Sequence, residues 1–184
     1  MNPAIREFLR VEIPPEISDN APMKSAFQLF LNHADDEPIR ALKAMKLFKG
    51  LTTRELREVE QLLHERKYLK DEVIFDEGDE GLGLFIIVNG RVRVSSSLPA
   101  FKNLSAEFCC GDFFGELSLF DDGPRTARIT AVEPSDVVAL FRTEFFSLLE
   151  GNRNIAAKIL FEISQTVCHR WRRLLLSDKD QPIL

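Results

Sequence analysis

The sequence predicts a mainly β protein, an antiparallel sandwich or jelly roll with helices before and after it. Between Tyr68 and Phe141 the apolar residues fall into short runs separated by turn-forming residues: Val73 to Phe75, Leu84 to Val88, Arg91 to Ser95, Leu104 to Phe108, Thr126 to Val132 and Asp136 to Phe141. No interval between these runs holds a helix long enough for a βαβ crossover, so the sequence argues against a doubly wound α/β fold, and the lone Gly81-Leu82-Gly83 is no dinucleotide fingerprint. On either side of this region the apolar spacing lengthens to that of helices.

Pro14-Pro15 and Pro22 interrupt the start, after which Met23, Phe27, Phe30 and Leu31 fall at helical spacing. Pro38 suits the first turn of a helix carrying Ile39, Leu42, Met45 and Leu47. Thr52-Thr53-Arg54-Glu55 spells a capping box ahead of Leu56, Val59, Leu62 and Leu63, and this helix is expected to run to about Glu65. Asn89-Gly90 between two β-prone runs predicts a hairpin closed by a type I′ turn. Ser95-Ser96-Ser97-Leu98-Pro99 marks a loop. Thr143 is placed to cap a short helix bearing Phe145, Phe146, Leu148 and Leu149, which Gly151 ends; Ile155, Ile159, Ile163, Val167, Trp171 and Leu175 then recur every fourth residue to Leu176.

Composition narrows the function. With 184 residues, 45% hydrophobic and 29% charged, the chain can bury a true core. Lys and Arg number 24 against 29 Asp and Glu, and the net charge of -5 argues against a protein that coats nucleic acid or an anionic membrane. The cluster His169-Arg170-Trp171-Arg172-Arg173 reads as a helix C-terminus favoured by the macrodipole, not as a nucleic-acid contact. Three cysteines, two of them the adjacent Cys109 and Cys110, give neither a disulfide framework nor a zinc pattern and suit a reducing compartment. His33, His64 and His169 form no ligand-spaced pair, so no metal site is expected, and no nucleophile–base motif supports catalysis. Arg6, Glu7 and Arg10 interrupt any signal-like run, and no apolar stretch would span a membrane; a cytoplasmic protein is expected.

The segment Gly111 to Ala127 is the most informative. Gly115 permits close backbone approach, and one short helical turn from Glu116 to Phe120 would leave its first N–H groups free for an anion. Arg125, nine residues beyond Glu116 and just past Asp121-Asp122-Gly123-Pro124, can fold back onto that anion with a planar fork of donors. Glu116 would repel the anion, so its presence requires a ligand that also offers hydroxyl or amine donors, as a ribose beside a phosphate does.

Phe114-Gly115-Glu116-Leu117-Ser118-Leu119 followed by Pro124-Arg125-Thr126-Ala127 resembles the phosphate-binding cassette of cyclic nucleotide-binding domains, found in catabolite activators, cyclic-nucleotide-dependent kinases and gated channels. The resemblance runs from about Phe48 to Arg173. It includes Leu47 to Thr52, Glu77-Gly78-Asp79, Phe85-Ile86-Ile87 with Gly90, and Gly111-Asp112. Leu82 departs from the family pattern, which has an acidic or small polar residue there.

The resemblance implies an eight-stranded antiparallel β jelly roll with an N-terminal helical cap and C-terminal hinge and lid helices. Residues 1–46 would form a helical extension and 47–176 the binding domain, with the roll at about 68–142, the hinge and lid helices at 143–176 and a tail at 177–184. Glu116 would accept from the ribose 2′-hydroxyl and Arg125 would pair with the exocyclic phosphate oxygens. Backbone N–H groups around Gly115, Leu117 and Ser118 would complete the cradle, with Thr126 and Ala127 beside it. Thr126 permits cGMP without excluding cAMP, and Arg170 or Trp171 on the lid would stack on the base. Each hydrogen bond to Arg125 would supply about 1.5 to 3 kcal/mol, and Arg125→Ala is expected to weaken binding severely while leaving the fold intact.

The ligand implied is therefore cAMP or cGMP, with no cofactor. The short tail after Arg173 cannot encode a helix-turn-helix, so a free-standing sensor is expected, acting on an unknown effector protein or by homodimerising through an Ala156, Leu160, Ile163, Val167, Leu174 stripe. Two alternatives stand beside it: an interaction scaffold whose cassette binds no nucleotide, and a receptor for a cyclic dinucleotide.

Overall fold

The computed structural model describes residues 37–97 and 105–177. The proposed Met23 to Leu31 helix and the 177–184 tail beyond Ser177 lie outside the described residues. The element order is α1 (Glu37–Ala44), a 3-10 turn (Lys46–Phe48), α2 (Thr53–Glu60), β1 (His64–Tyr68), β2 (Val73–Phe75), β3 (Gly83–Asn89), β4 (Arg91–Ser95), β5 (Ser105–Cys109), β6 (Phe113–Phe114), a second 3-10 turn (Glu116–Leu119), β7 (Arg128–Ala131), β8 (Ser135–Phe141), α3 (Arg142–Gly151) and α4 (Arg153–Ser177). Eight antiparallel strands make two four-stranded sheets, ordered β1-β8-β3-β6 and β2-β7-β4-β5. The jelly roll flanked by helices is therefore present.

Strand β3 explains why its sequence is apolar without alternation. Leu84, Ile86 and Val88 point into a core shared with the helices, whereas Phe85 and Ile87 point between the sheets. Its neighbour β8 divides in the same way, Val138 and Leu140 on one face and Val137 and Ala139 on the other. A strand covered on both faces needs apolar residues at every position. The first sheet is thus the middle of three layers, with the second sheet on one side and α1 to α4 on the other.

Three local expectations are corrected. The helix after Thr52 stops at Glu60 and not at Glu65, because His64 to Tyr68 pairs with Ser135 to Ala139 as β1; its polar spelling, His-Glu-Arg-Lys-Tyr, hides the strand. Asn89-Gly90 closes no hairpin: β3 and β4 belong to different sheets, Gly90 alone takes positive φ (91°), and Asn89 remains in β3 opposite Asp136. The pair is a corner between sheets. Thr143 does not cap α3, which begins at Arg142 with Phe141 as its uncapped N-cap; the Thr143 hydroxyl donates to Glu144.

The Thr52 capping box is present, with the Thr52 hydroxyl accepting from the Glu55 N–H and Glu55 accepting from the Thr52 N–H at 2.7 Å. Glu55 also receives Lys158 Nζ at 2.7 and 2.8 Å and Asn154 Nδ2 at 2.9 Å, tying α2 to α4. The Lys158 hydrogen bond, followed by the Thr52 N–H, holds the Glu55 carboxyl below its ordinary value. A depressed carboxylate stabilises the fold above its unfolded pKa, and this contribution is lost as pH falls through the folded value. Glu55→Gln should cost about 1 to 2 kcal/mol at neutral pH, a cap and a partly buried ion pair together, with the deficit shrinking in acid; thermal denaturation across pH measures both.

Candidate functional site

The chain after β6 enters the cassette through Gly115, whose left-handed φ of 76° turns it into the Glu116–Leu119 3-10 turn. A Cβ at Gly115 would lie 2.5 Å from Arg125 Nη1, so only glycine fits between the turn and the arginine. The guanidinium of Arg125 lies inside the fold, with 6% of the residue exposed. Its Nη1 donates to the Gly115 carbonyl at 3.0 Å and the Ser118 hydroxyl at 2.9 Å, and its Nη2 donates to the Gly83 carbonyl at 2.9 Å. The group also stacks 4.1 Å from the centroid of Phe75 and 5.6 Å from that of Phe85. Nε is buried without an acceptor.

Burial pulls the Arg125 pKa below the ordinary arginine value, while the negative charges of Asp79 and Glu116 oppose this shift. Arg125 therefore supports the fold as well as any ligand. Removing it would strand the Gly83 and Gly115 carbonyls, so the expectation that Arg125→Ala leaves the fold intact does not survive the geometry.

Glu116 and Arg125 do not pair with each other. Glu116 Oε1 instead accepts from Arg170 Nη1 of α4 at 2.9 Å, with both side chains 11% exposed. Arg170 Nη2 donates to the Phe113 carbonyl at 2.7 Å, and its guanidinium lies 4.8 Å from the Phe108 ring centroid and 5.1 Å from that of Phe113. Helix α4 thus reaches the carboxylate expected from sequence to meet the ribose. Trp171, the next residue, is 59% exposed. Arg170 and Trp171 lie on different faces of α4, and only Arg170 meets the cassette.

Leu117 and Thr126 are exposed, Ser118 is buried against Arg125, and Ala127 packs on the inner core. The sequence reading missed the aromatic row beneath the site. Phe85 stacks on Phe114 at 5.5 Å and Phe108 on Phe114 at 6.3 Å, leaving Arg125 near one end and Arg170 near the other. Phe85 on β3, Phe108 on β5 and Phe114 on β6, each within a β-prone run, were the available signal.

Asp112, just ahead of the cassette, is 2% exposed. Oδ2 accepts the Cys109 N–H at 3.0 Å, and Oδ1 is buried without a partner. Burial raises its pKa to about 6 against the opposing pull of the Cys109 N–H and of Arg170. Burial likewise pushes the Cys109 and Cys110 thiols up to about 12, so they remain protonated. Among the described residues no cluster of three or more His, Cys, Asp or Glu could hold a metal, and no helix is long and apolar enough to cross a membrane.

Residues 65–152 match the family model described as the cyclic nucleotide-binding domain. This segment belongs to that family. A cyclic AMP receptor protein from Thermus thermophilus is 34% identical over 109 residues, covering 59% of this chain and 50% of the relative. A lysophospholipase from Neurospora crassa is 32% identical over 126 residues, covering 68% of this chain and 8% of the relative. The chain therefore spans about half the length of the first and a small part of the second. A solved cyclic nucleotide-binding domain from Methylobacillus flagellatus superposes with a TM-score of 0.68 at 23% identity, covering 89% of this chain and 87% of its own, a likeness of fold.

The cyclic nucleotide-binding domain has a built-in pH dependence at Asp112. Its raised pKa makes the neutral carboxyl the stabilising form; that stability is present in acid and lost as pH rises from the usual aspartate value through about 6. Asp112→Asn, neutral at every pH, should melt above the wild type at about pH 8 and converge with it near about pH 4, as thermal scans in matched buffers would show.

Proposed function

We propose that the domain reversibly binds a 3′,5′-cyclic purine nucleotide, cAMP or cGMP, and signals through movement of α4. The observation that carries this reading is Arg125, a buried guanidinium at the mouth of a glycine-led 3-10 turn whose Nε lacks an acceptor. A charged donor buried and incompletely satisfied is costly unless a ligand completes it, and a phosphate oxygen is the complementary acceptor. Glu116, in the same turn, accepts from a ribose hydroxyl, with backbone N–H groups around Gly115, Leu117 and Ser118, together with Thr126 and Ala127, lining the rest.

The lid signal follows from Glu116. Arg170 and a ribose hydroxyl address the same carboxylate, so a nucleotide changes the free energy of the α4 contact, which is what ligand-driven movement requires. The name of the Thermus relative supports cAMP as a ligand, and the lysophospholipase supports a domain that serves unlike outputs. Here the output is a sensor without catalysis, acting on an effector protein or on a second copy.

The face for a second copy differs from the stripe expected from sequence. Ala156, Leu160, Ile163 and Val167 pack into the helical core, and the Leu174 side chain lies outside the described residues, whereas Ala157, Phe161, Ser164, Cys168 and Trp171 share the solvent side at 4-3 spacing, with Phe161 60% exposed. If this face pairs, Phe161→Glu should convert dimer to monomer in light scattering, and a wild type that stays monomeric with nucleotide present removes the dimer from the proposal.

Calorimetry and thermal shift with cAMP, cGMP and cyclic dinucleotides test the binding reading. A ligand at one hundred times its dissociation constant should stabilise by about 2.7 kcal/mol. Arg125→Lys, which keeps the charge and loses the fork, and Glu116→Gln should each weaken binding by about tenfold or more. No shift with any nucleotide identifies a scaffold, and a shift with a cyclic dinucleotide alone identifies that receptor class.

A further inference from the structure

Arg142 stands at the first position of α3, where a helix N-terminus disfavours positive charge. Its side chain is spent elsewhere. Nε donates to the Ser118 carbonyl at 2.7 Å, Nη1 pairs with the Asp122 carboxylate, and the backbone N–H donates to the Leu82 carbonyl at 2.8 Å. Each acceptor lies next to a group that holds Arg125. The Ser118 hydroxyl takes Arg125 Nη1, the Gly83 carbonyl beyond Leu82 takes Arg125 Nη2, and Asp122 sits in the loop that delivers Arg125. Ser118 is therefore gripped from two sides, its hydroxyl by one arginine and its carbonyl by the other.

We infer that Arg142 is a positioning residue for the phosphate site, setting the 3-10 turn and the Arg125 guanidinium through Ser118 and joining them to the first turn of α3. This rests on the binding reading above and deepens it. The backbone carbonyls of the last residues in a 3-10 turn lack partners within it, and a guanidinium at Ser118 fixes the turn's end as the following loop departs. Because that guanidinium belongs to α3, a displacement of Arg125 or Ser118 by an anion is felt at the hinge helix without passing through the aromatic core. Asp122 is almost fully exposed, so its ion pair adds little, and the Ser118 hydrogen bond carries the effect.

Two measurements on the full chain decide it, one of them independent of any nucleotide. Hydrogen exchange of amides 115–121 without ligand should quicken in Arg142→Gln, much less in Arg142→Lys and hardly at all in Asp122→Asn, with β1 and β8 amides unchanged in all three. Calorimetry should then show Arg142→Gln weakening nucleotide binding by about tenfold, Arg142→Lys recovering part of it, and Arg142→Gln combined with Ser118→Ala costing less than the sum of the two. Unchanged exchange at 115–121 overturns the inference, as does affinity within about twofold of a wild type that binds. Global acceleration, including β1 and β8, also overturns it, because Arg142 would then be merely structural. A wild type that binds no nucleotide defeats the binding reading alone, and the exchange pattern still decides whether Arg142 sets the turn.

Discussion

A charged guanidinium buried inside a β roll is the constraint around which this domain is arranged. Arg125 can lie there only because three oxygens from two segments turn inward to meet it: Gly83 at the start of β3, and Gly115 and Ser118 at the entry to the 3-10 turn and within it. Each acceptor in turn fixes a piece of backbone. The left-handed Gly115, the short β6 and the departure of the chain after Leu119 follow from bringing those oxygens to one place, and the rings of Phe75 and Phe85 shield the group from water. Net charge says nothing about such a site. The chain carries an excess of acid, yet the local field at the cassette comes from the charges of Arg125 and Arg170 with those of Glu116 and Asp79.

The second arginine gives the site a direction. Arg170 approaches from the long C-terminal helix, lies over Phe108 and Phe113 and ends on Glu116, so the far end of α4 is joined to the turn by a nearly water-free ion pair. A pair of this kind is worth little against apolar packing but costly to break by removing one partner, which makes it a device for specifying position more than for adding stability. The base of the same helix is fastened differently, through Lys158 and Asn154 to Glu55 on α2. One part of α4 is thus anchored to another helix and another to the cassette.

Much of this was legible in the sequence. The capping box at Thr52, the 3-10 turn at Glu116 and the helices at both ends rest on local spellings that tertiary contacts do not override. The number of strands was legible through the family resemblance, although the apolar runs themselves mark only six of the eight. What sequence could not show depended on who meets whom. β1 is written in polar residues because one sheet edge is solvated, so its pairing with β8 leaves no hydrophobic trace. Asn89-Gly90 carries a hairpin spelling, but β3 already has β8 and β6 as partners, and the pair becomes a corner. Arg170 was placed near the base by counting, although its orientation toward Glu116 depends on the rotation of a helix, which periodicity fixes only to a face. Arg142 did carry a signal: a cation at a helix start is misplaced by local rules, and such a misplacement points to a distant partner.

The two-sided burial of β3 bears on how the domain could travel between proteins of unlike output. Because Leu84, Ile86 and Val88 are covered by the helices while Phe85 and Ile87 close the roll, neither layer is a separable accessory. A roll excised without α1 to α4 would expose a flat apolar sheet face, a surface suited to aggregation. The unit that can be inserted into a longer chain is therefore the roll with its helices, and a neighbouring domain joined at the helix ends meets α4, whose Arg170 is already paired with Glu116 of the cassette.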